Sequence, residues 1–427
     1  MKMNPRVAVI TSGYLPVPNV LGGAVEALDM MMVRENEKTT NFEFTVFSSW
    51  APGVDEVIRD GAFQHTDFRF IKTPMLVTAA DRCIYWAAKY ILRKKKLMSY
   101  RYIAQRLWYI RKVAKALSKD DASGKTPFDK VMIENHATLF MTMQKYRNAE
   151  RYADKVYYHL HNEVTNDFGC KHEIAQVKKV LGVSNYIVDT LDKFLREHGE
   201  GGLKPEQKAV WRNGVDTSRF GSDEAKRKAK SFRTKYGIND DDIVFLFSGR
   251  LTPEKGAEEL MEAFTQVADQ VPNARLVVAG AFFFNSNIKS PFEQKLHDLA
   301  TQPQVEGKIV FTGFVDYNDM PALYEMADVC VLPSIWDDPA PLAVIESLVS
   351  GKPLITTRSG GIPEYANDDC AIILERDNQL VDHLAQAMVE LADNPVSRDT
   401  MIRVETGIRN QLSTSQYEKQ LVNLLTE

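Results

Sequence analysis

The residues of this chain that can do chemistry fall in a few short stretches. In SIWDDPAPLAVIESLVSGKPLITTRSGGIPE, residues 334–364, Asp338 and Glu346 stand eight positions apart. A Pro-bearing loop carries the first and a helix over Leu342 to Val349 carries the second. The spacing predicts an exposed carboxylate two turns from one that can grip a pair of vicinal hydroxyls. Upstream, SGRLTPEKG, residues 248–256, sets Arg250 and Lys255 five apart on a strand-to-helix turn, with a helix beginning near Lys255. Two cations so placed can converge on one diphosphate while helix amides add donors. The two stretches together suit a sugar nucleotide. A solvated turn that happens to carry an Arg and a Lys is the plain alternative.

The N-terminal half offers less specific signals. Gly22-Gly23 opens a helix through Ala24, Leu28 and Met31, which allows close backbone approach and leaves N–H groups for an anion. A tight turn that binds nothing reads the same way. FDKVMIENH (128–136) and KVYYHLHN (155–162) read as strands with His and Asn at their carboxyl ends. His136 and His161 are therefore candidates, and Glu163 follows directly. His159 shares a strand face with His161 and is a neighbour or plain packing. A histidine at a strand end is otherwise a hydrogen-bonded structural residue.

The elements that must position these residues are short apolar runs alternating with helical segments. The runs are Arg6–Ser12, Phe42–Ser49, Phe68–Thr73, Phe128–His136, Lys155–Asn162 and Lys179–Ser184. In the second half they are Ile243–Gly249, Ala274–Gly280, Lys308–Phe314, Val329–Leu332, Pro353–Arg358 and Ala371–Glu375. Two successive runs of strand and helix predict an α/β protein with two doubly wound, Rossmann-like domains facing an interdomain cleft. Ligands in such sheets sit outside the carboxyl ends of the strands. EHGEGGLKP (197–205) is a polar, Gly-rich surface loop, and the hinge is placed between about 200 and 222. Phe282-Phe283-Phe284 either caps a bound base or closes a core, the second being favoured.

Composition limits the function classes. With 26 % charged residues and a net charge of −4, nothing marks a nucleic-acid partner. Cys83, Cys170, Cys330 and Cys370 lack metal-ligand spacing and read as buried free thiols in a reducing compartment. Met1 to Pro5 leads straight into a strand without a signal peptide, and no apolar run is long enough to cross a bilayer. A cytoplasmic site of action is expected. Residues 81–118 look largely helical and hold Lys89, Arg93, Lys94, Lys95, Lys96, Arg101, Arg106, Arg111, Lys112 and Lys115, with no acid between Asp81 and Asp120. Tyr85, Trp86, Tyr90, Tyr100, Tyr102, Trp108 and Tyr109 are interleaved. Such helices can lie peripherally on an anionic membrane or bind an anionic acceptor; the alternative is a solvated face with inward aromatics.

Asp338-x7-Glu346 resembles the Glu-x7-Glu signature of family 4 of the retaining glycosyltransferases, with the first acid one methylene short. Pro339-Ala340-Pro341 replaces the family's Pro-Phe-Gly, and Pro341 lacks an N–H. Ser-Gly-Arg-x-x-x-x-Lys-Gly, Gly360-Gly361-Ile362-Pro363-Glu364 and Asn213-Gly214-Val215-Asp216 are also similar to family elements. The resemblance covers most of residues 6–425 and is stronger in the C-terminal half. It implies a GT-B fold: an acceptor domain over 1–205, a nucleotide-sugar domain over 206–410, and a terminal helix in 411–427 crossing back to the first domain.

The resemblance also implies roles. Arg250 and Lys255 would hold the diphosphate and Glu346 the ribose. Asp338, with the amides of Leu342 and Ala343, would hold the sugar, and Phe314 would lie at the base or in the core. Gly22-Gly23 would face the donor phosphates, and His161, with His136 and Glu163, the acceptor. A nucleotide-sugar donor, with UDP favoured, and a saccharide or lipid-linked acceptor follow. Transfer would proceed with retention and need neither cofactor nor metal. A catalytically inactive scaffold and a protein-glycosylating transferase remain alternatives. A nicotinamide-dependent oxidoreductase is disfavoured because no strand-GxGxxG-helix turn occurs near the N-terminus.

Overall fold

The computed structural model describes residues 4–91, 101–120, 124, 126–281 and 290–426. They divide into two compact units, Met1–Trp211 with Glu418–Glu427, and Arg212–Tyr417.

In the first unit the strands are β1 (Arg6–Ile10), β2 (Glu43–Ser49), β3 (Thr66–Ile71), β4 (Lys130–Glu134), β5 (Val156–Leu160), β6 (Lys179–Gly182) and β7 (Lys208–Val210). They form a parallel sheet in the order β3-β2-β1-β4-β5-β6-β7. Val7 to Ile10 are fully buried, which is why β1 reads as a continuous apolar run rather than an alternating one: both faces of a parallel sheet are covered. The strand order reverses between β1 and β4. The segments after Ile10, Glu134 and Leu160 therefore converge at one crevice.

The second unit repeats the plan. Its strands β8 (Ile243–Ser248), β9 (Ala274–Ala279), β10 (Ile309–Gly313), β11 (Val329–Leu332), β12 (Leu354–Thr357) and β13 (Ala371–Leu374) run parallel in the order β10-β9-β8-β11-β12-β13. Here the reversal lies between β8 and β11. It brings the Arg250 turn and the Asp338 loop side by side although 88 residues of chain separate them.

Several expectations are corrected. Lys208–Val210 is a strand paired to β6; three residues carry no readable period. The helices Asp223–Lys235, Met320–Met326 and Pro395–Arg409 were not foreseen. Lys255 lies two residues before the helix expected near it. It ends a 3₁₀ turn, Pro253–Lys255, and the helix starts at Ala257 after Gly256 turns left-handed at φ 73°. Cys83 is exposed, unlike the other three free thiols. Among the described residues of the basic segment, helices Met75–Trp86 and Ile103–Leu117 flank a π-helical turn at Ala87–Ile91. Arg93, Lys94, Lys95, Lys96, Tyr100 and Phe282-Phe283-Phe284 lie outside the described residues. No described helix is long and apolar enough to cross a membrane.

The terminal helix Thr414–Thr426 places Glu418, Leu421 and Leu425 in the first unit. Glu418 Oε1 accepts from Thr39 Oγ1 at 2.6 Å and from Asn41 Nδ2 at 2.7 Å, and both leucines are buried.

Candidate functional site

In the second unit, the turn after β8 and the loop after β11 are fastened to each other. Ile335 N donates to Glu254 O at 3.1 Å and Ser334 Oγ to the same carbonyl at 3.3 Å. Gly256 packs so closely on β11 that a Cβ there would meet Pro333 O at 1.9 Å. The other side of the loop is held by Asp337, which sequence reasoning passed over. Its Oδ1 accepts from Gly360 N at 3.0 Å and from Arg376 Nη2 at 2.6 Å. Gly361 N donates to Asp338 O at 2.9 Å, and a Cβ at Gly360 would lie 2.5 Å from that oxygen.

This anchoring corrects the expectation of an exposed Asp338. The residue is 9 % exposed, and its Oδ2 pairs with Lys255 Nζ. The loop turns the carboxylate inward, onto the cation that sequence spacing assigned to a diphosphate.

Beside them a pocket of about 280 Å³ opens at the carboxyl ends of β8 and β9. Arg250, Phe314, Leu342, Ala343 and Glu346 all line it, whereas Lys255 and Asp338 do not. Arg250 is exposed and Phe314 is half-exposed, so Phe314 is not core. Leu342 and Ala343 open the helix Leu342–Ser350; their amides have no intrahelical acceptor, whereas those of Val344 and Ile345 donate to Pro341 O. Pro341 caps that end without a side-chain bond.

Glu346 lies one turn further and is buried. Its Oε2 accepts from Tyr324 Oη at 3.0 Å, and that hydroxyl meets Ser248 Oγ at 2.8 Å. Burial pushes the Glu346 carboxyl up to about 7, against the Tyr324 hydrogen bond and the Arg219 charge. Burial also raises Tyr324 well above the ordinary phenol range, so it stays the donor. Tyr324 belongs to the unforeseen helix Met320–Met326, which is why the sequence did not reveal it.

The first unit presents a second set of groups at the carboxyl ends of β1, β4 and β5. Gly22 and Gly23 take φ 81° and 104° before the helix Ala24–Thr39. A Cβ at Gly23 would lie 2.2 Å from Glu26 Oε2, and Ser12 Oγ donates to Glu26 Oε1 at 2.8 Å. The negative charge expected there from a ligand is thus supplied in part by the chain's own Glu26. Burial raises the Glu26 carboxyl, opposed by its own amide and Ser12.

On β5, His159 and His161 do share a face, and their rings are 4.0 Å apart. His161 Nε2 is 3.2 Å from His159 Nδ1, which is 2.9 Å from Glu134 Oε2. His161 Nε2 lies 3.6 Å from that same oxygen. These three atoms form the one metal-capable group among the described residues, and their spacings are also those of groups sharing protons. His159 stacks on Trp211 with centroids 4.2 Å apart.

Burial pushes His161 down to about 4 and His159 to about 3, so both are neutral at pH 7. Burial likewise raises Glu134, against the pull of His161. Asn135, left-handed at φ 55°, accepts at Oδ1 from the amides of His161 and Asn162 at 3.2 and 3.0 Å. His136 contributes to the field at His161, while Glu163 accepts from Tyr186 Oη instead. The signal for Glu134 was an acid closing an apolar strand.

A larger cavity of about 730 Å³, lined by Arg6, His65 and Asp67 among others, opens at the amino ends of β1 to β3. It is the wrong edge of a parallel sheet for substrate, and none of the residues above reach it.

Residues 228–405 match the family described as "Glycosyl transferases group 1". The putative glycosyltransferase YtcC of Bacillus subtilis is 32 % identical over 221 residues, 50 % of this chain and 53 % of that protein. The chain thus spans about half of that relative. Spore coat protein SA of the same organism is 27 % identical over 372 residues, covering 85 % and 83 %. A GDP-mannose-dependent phosphatidylinositol monomannoside mannosyltransferase of Corynebacterium glutamicum is 29 % identical over 195 residues, 44 % and 48 %. Among solved structures, HepE of Anabaena in complex with UDP and glucose superposes with a TM-score of 0.69 at 15 % identity, covering 99 % and 100 %. WaaG, a glycosyltransferase involved in lipopolysaccharide biosynthesis, gives 0.64 at 14 %, covering 98 % and 99 %. The fold is GT-B.

Proposed function

We propose that this chain is a retaining, metal-independent glycosyltransferase of family 4. It moves a sugar from a nucleotide-diphosphate sugar, a UDP-sugar by preference, to a saccharide or lipid-linked acceptor in bacterial cell-surface polysaccharide or glycoconjugate synthesis. The observation that carries this reading is the second-unit pocket, where an exposed Arg250, free helix amides at Leu342 and Ala343, and a buried Glu346 face one space. The UDP and glucose bound by HepE and the name of the mannosyltransferase relative support a nucleotide-sugar donor.

In this reading Glu346 accepts from the ribose hydroxyls, with Tyr324 fixing its orientation. Phe314 lies against the base. Arg250 neutralises the diphosphate, and Lys255 joins it by leaving Asp338, which frees that carboxylate for a sugar hydroxyl. The first unit presents the acceptor near Gly22-Gly23, His161 and His136, with Glu163 at the periphery. The acceptor hydroxyl attacks from the face the diphosphate leaves, and a departing phosphate oxygen takes its proton. Nothing in that sequence requires an enzymic nucleophile. Rate comes from positioning and charge stabilisation.

A peripheral membrane contact belongs to the same proposal. Met75 and Leu76 are 87 % and 85 % exposed, with Trp86, Tyr90 and Ile91 also exposed beside Lys89. Apolar and aromatic tips flanked by cations suit an anionic bilayer at the inner face of the membrane. Liposome sedimentation should show binding that salt weakens and that Trp86→Ala with Ile91→Ala removes; undiminished binding of the double variant rules the surface out.

The deciding experiment is a thermal-shift series with UDP- and GDP-sugars, with and without chelator. One donor should stabilise the protein selectively and survive chelation, because a ligand that binds only the folded state raises its melting temperature. If no nucleotide sugar shifts the melt or binds in calorimetry, the inactive-scaffold reading replaces this one.

A further inference from the structure

Helix Ile103–Leu117 buries an arginine that has no anionic partner. Arg106 is 2 % exposed. Its Nε and Nη2 both donate to Thr138 Oγ1, at 3.0 and 2.7 Å, and Nη1 has no partner. Its electrostatic neighbours are the hydroxyls of Tyr14 and Tyr109. Asp81, which could have neutralised it, gives its two oxygens to the amides of Ala104 and Gln105 at 2.8 and 3.0 Å.

Two half-buried arginines differ. Arg151 pairs with Asp120, and Arg233 donates to the carbonyls of Met326, Asn239 and Asp242. A guanidinium withdrawn from water with one neutral hydroxyl as partner is costly to keep unless an anion completes it.

The surroundings are built to receive one. Thr138 Oγ1 accepts from Arg106 twice, which leaves its own hydrogen for a ligand oxygen. The Tyr14 ring lies 4.4 Å above the guanidinium and meets His136 edge-on at 5.6 Å. His136 is held neutral by burial and then by the Arg106 charge. Tyr14 is 48 % exposed, so the guanidinium face under its ring is covered by a side chain that borders solvent. The guanidinium edge, the Thr138 hydroxyl and the neighbouring His136 ring each offer a hydrogen-bond donor, and a phosphate, with more acceptor oxygens than a carboxylate, can take more of them.

We propose that Arg106, Thr138 and His136, covered by Tyr14, form a subsite for a phosphate group carried by the acceptor. The identification with the acceptor rests on the function proposed above; the phosphate site itself does not.

The test is calorimetric titration of inorganic phosphate into the full chain carrying Arg250→Ala and Lys255→Ala, so that the second-unit cations do not report, at ionic strength fixed with chloride. Saturable binding at one site is expected, at least tenfold weaker when Arg106→Gln is added and weakened also by Thr138→Val. Circular dichroism checks that Arg106→Gln folds. If it does not, Tyr14→Ala serves instead, because it keeps Arg106 and uncovers its guanidinium; phosphate should then bind at least as tightly. Absence of saturable binding in both the parent and the Tyr14→Ala protein overturns the site. Equal binding of acetate overturns the assignment to phosphate. Displacement by glucose 6-phosphate identifies a soluble source, and displacement by phosphatidic acid but not phosphatidylcholine vesicles identifies a lipid headgroup; displacement by neither overturns the link to the acceptor. Phosphate binding in a protein that binds no nucleotide sugar would leave this subsite standing and remove the donor reading, and the reverse result would do the opposite.

Discussion

At the scale of single residues, Glu346 joins stability to function. Its carboxyl titrates near 4.5 when exposed and near 7 when folded. Both states are protonated below about 4.5. Between there and about 7 the unfolded chain releases the proton while the folded one keeps it, so Glu346 lowers stability as pH rises through that window. Glu346→Gln should therefore raise the melting temperature of the ligand-free protein at pH 8 and change it less at pH 5. The same variant should bind donor at least tenfold more weakly, and wild-type donor affinity should rise with pH through about 7 as the carboxylate forms. Calorimetry at several pH values checks this; a pH-independent affinity would mean that Glu346 does not meet the ribose as an anion. His161 makes the opposite kind of prediction. Being neutral at pH 7, it should contribute no inflection between pH 6 and 8, and His161→Ala should lower kcat about 100-fold while donor KM moves less than twofold. A variant that transfers sugar at the wild-type rate would remove His161 from the reaction.

At the scale of elements, the turn at the β8/β11 reversal depends on Gly256, and Gly313, at the end of β10, gives the comparison. Gly256 and Gly313 both have φ near 70°, but a Cβ at Gly256 meets Pro333 O at 1.9 Å whereas Gly313 has nothing within 4 Å. Left-handed strain alone costs about 1–2 kcal/mol, so that is the expectation for Gly313→Ala in urea unfolding. Gly256→Ala adds a backbone collision and should cost about 2–5 kcal/mol in all. It should also weaken nucleotide binding, because the shifted turn carries Arg250 and Lys255. Equal costs for the two variants would show that β11 yields at Pro333. Asp337→Ala belongs here too: it removes the carboxylate that ties the loop to Gly360 N and Arg376 Nη2, leaving only Arg376 Nη1 on Ile335 O from that arginine, and should impair donor binding without touching the pocket.

For the molecule as a whole, the last ten residues count with the first unit, not with the second unit that precedes them in the chain. Leu425 is fully buried there, so Leu425→Ala should cost about 2–5 kcal/mol. The loss should appear in the first unit's transition when scanning calorimetry is run with saturating donor, since a donor held by the second unit stabilises that unit. A variant whose two transitions fall together would indicate that the units unfold as one.

The apolar runs were enough to read two parallel α/β repeats, because buried parallel strands are continuous in hydrophobicity and their carboxyl ends are marked by Gly, Pro, His and Asn. Short pieces such as Lys208–Val210, and the helix Met320–Met326 with its Tyr324, carry too few residues for a period to emerge. The spacing Asp338-x7-Glu346 located both acids but not their states. Asp338 faces Lys255 because Gly360 and Arg376 hold the loop, and Glu346 is raised by burial, against the hydrogen bond from Tyr324 on another helix. His159 neighbours His161 by the strand period alone, whereas Glu134 joins them only once β4 lies against β5, and Arg106 is withdrawn from water without a counter-charge only once helix Ile103–Leu117 is packed. Local spacing determines which element a residue rides on. Strand order and packing decide what it touches, and with that its charge.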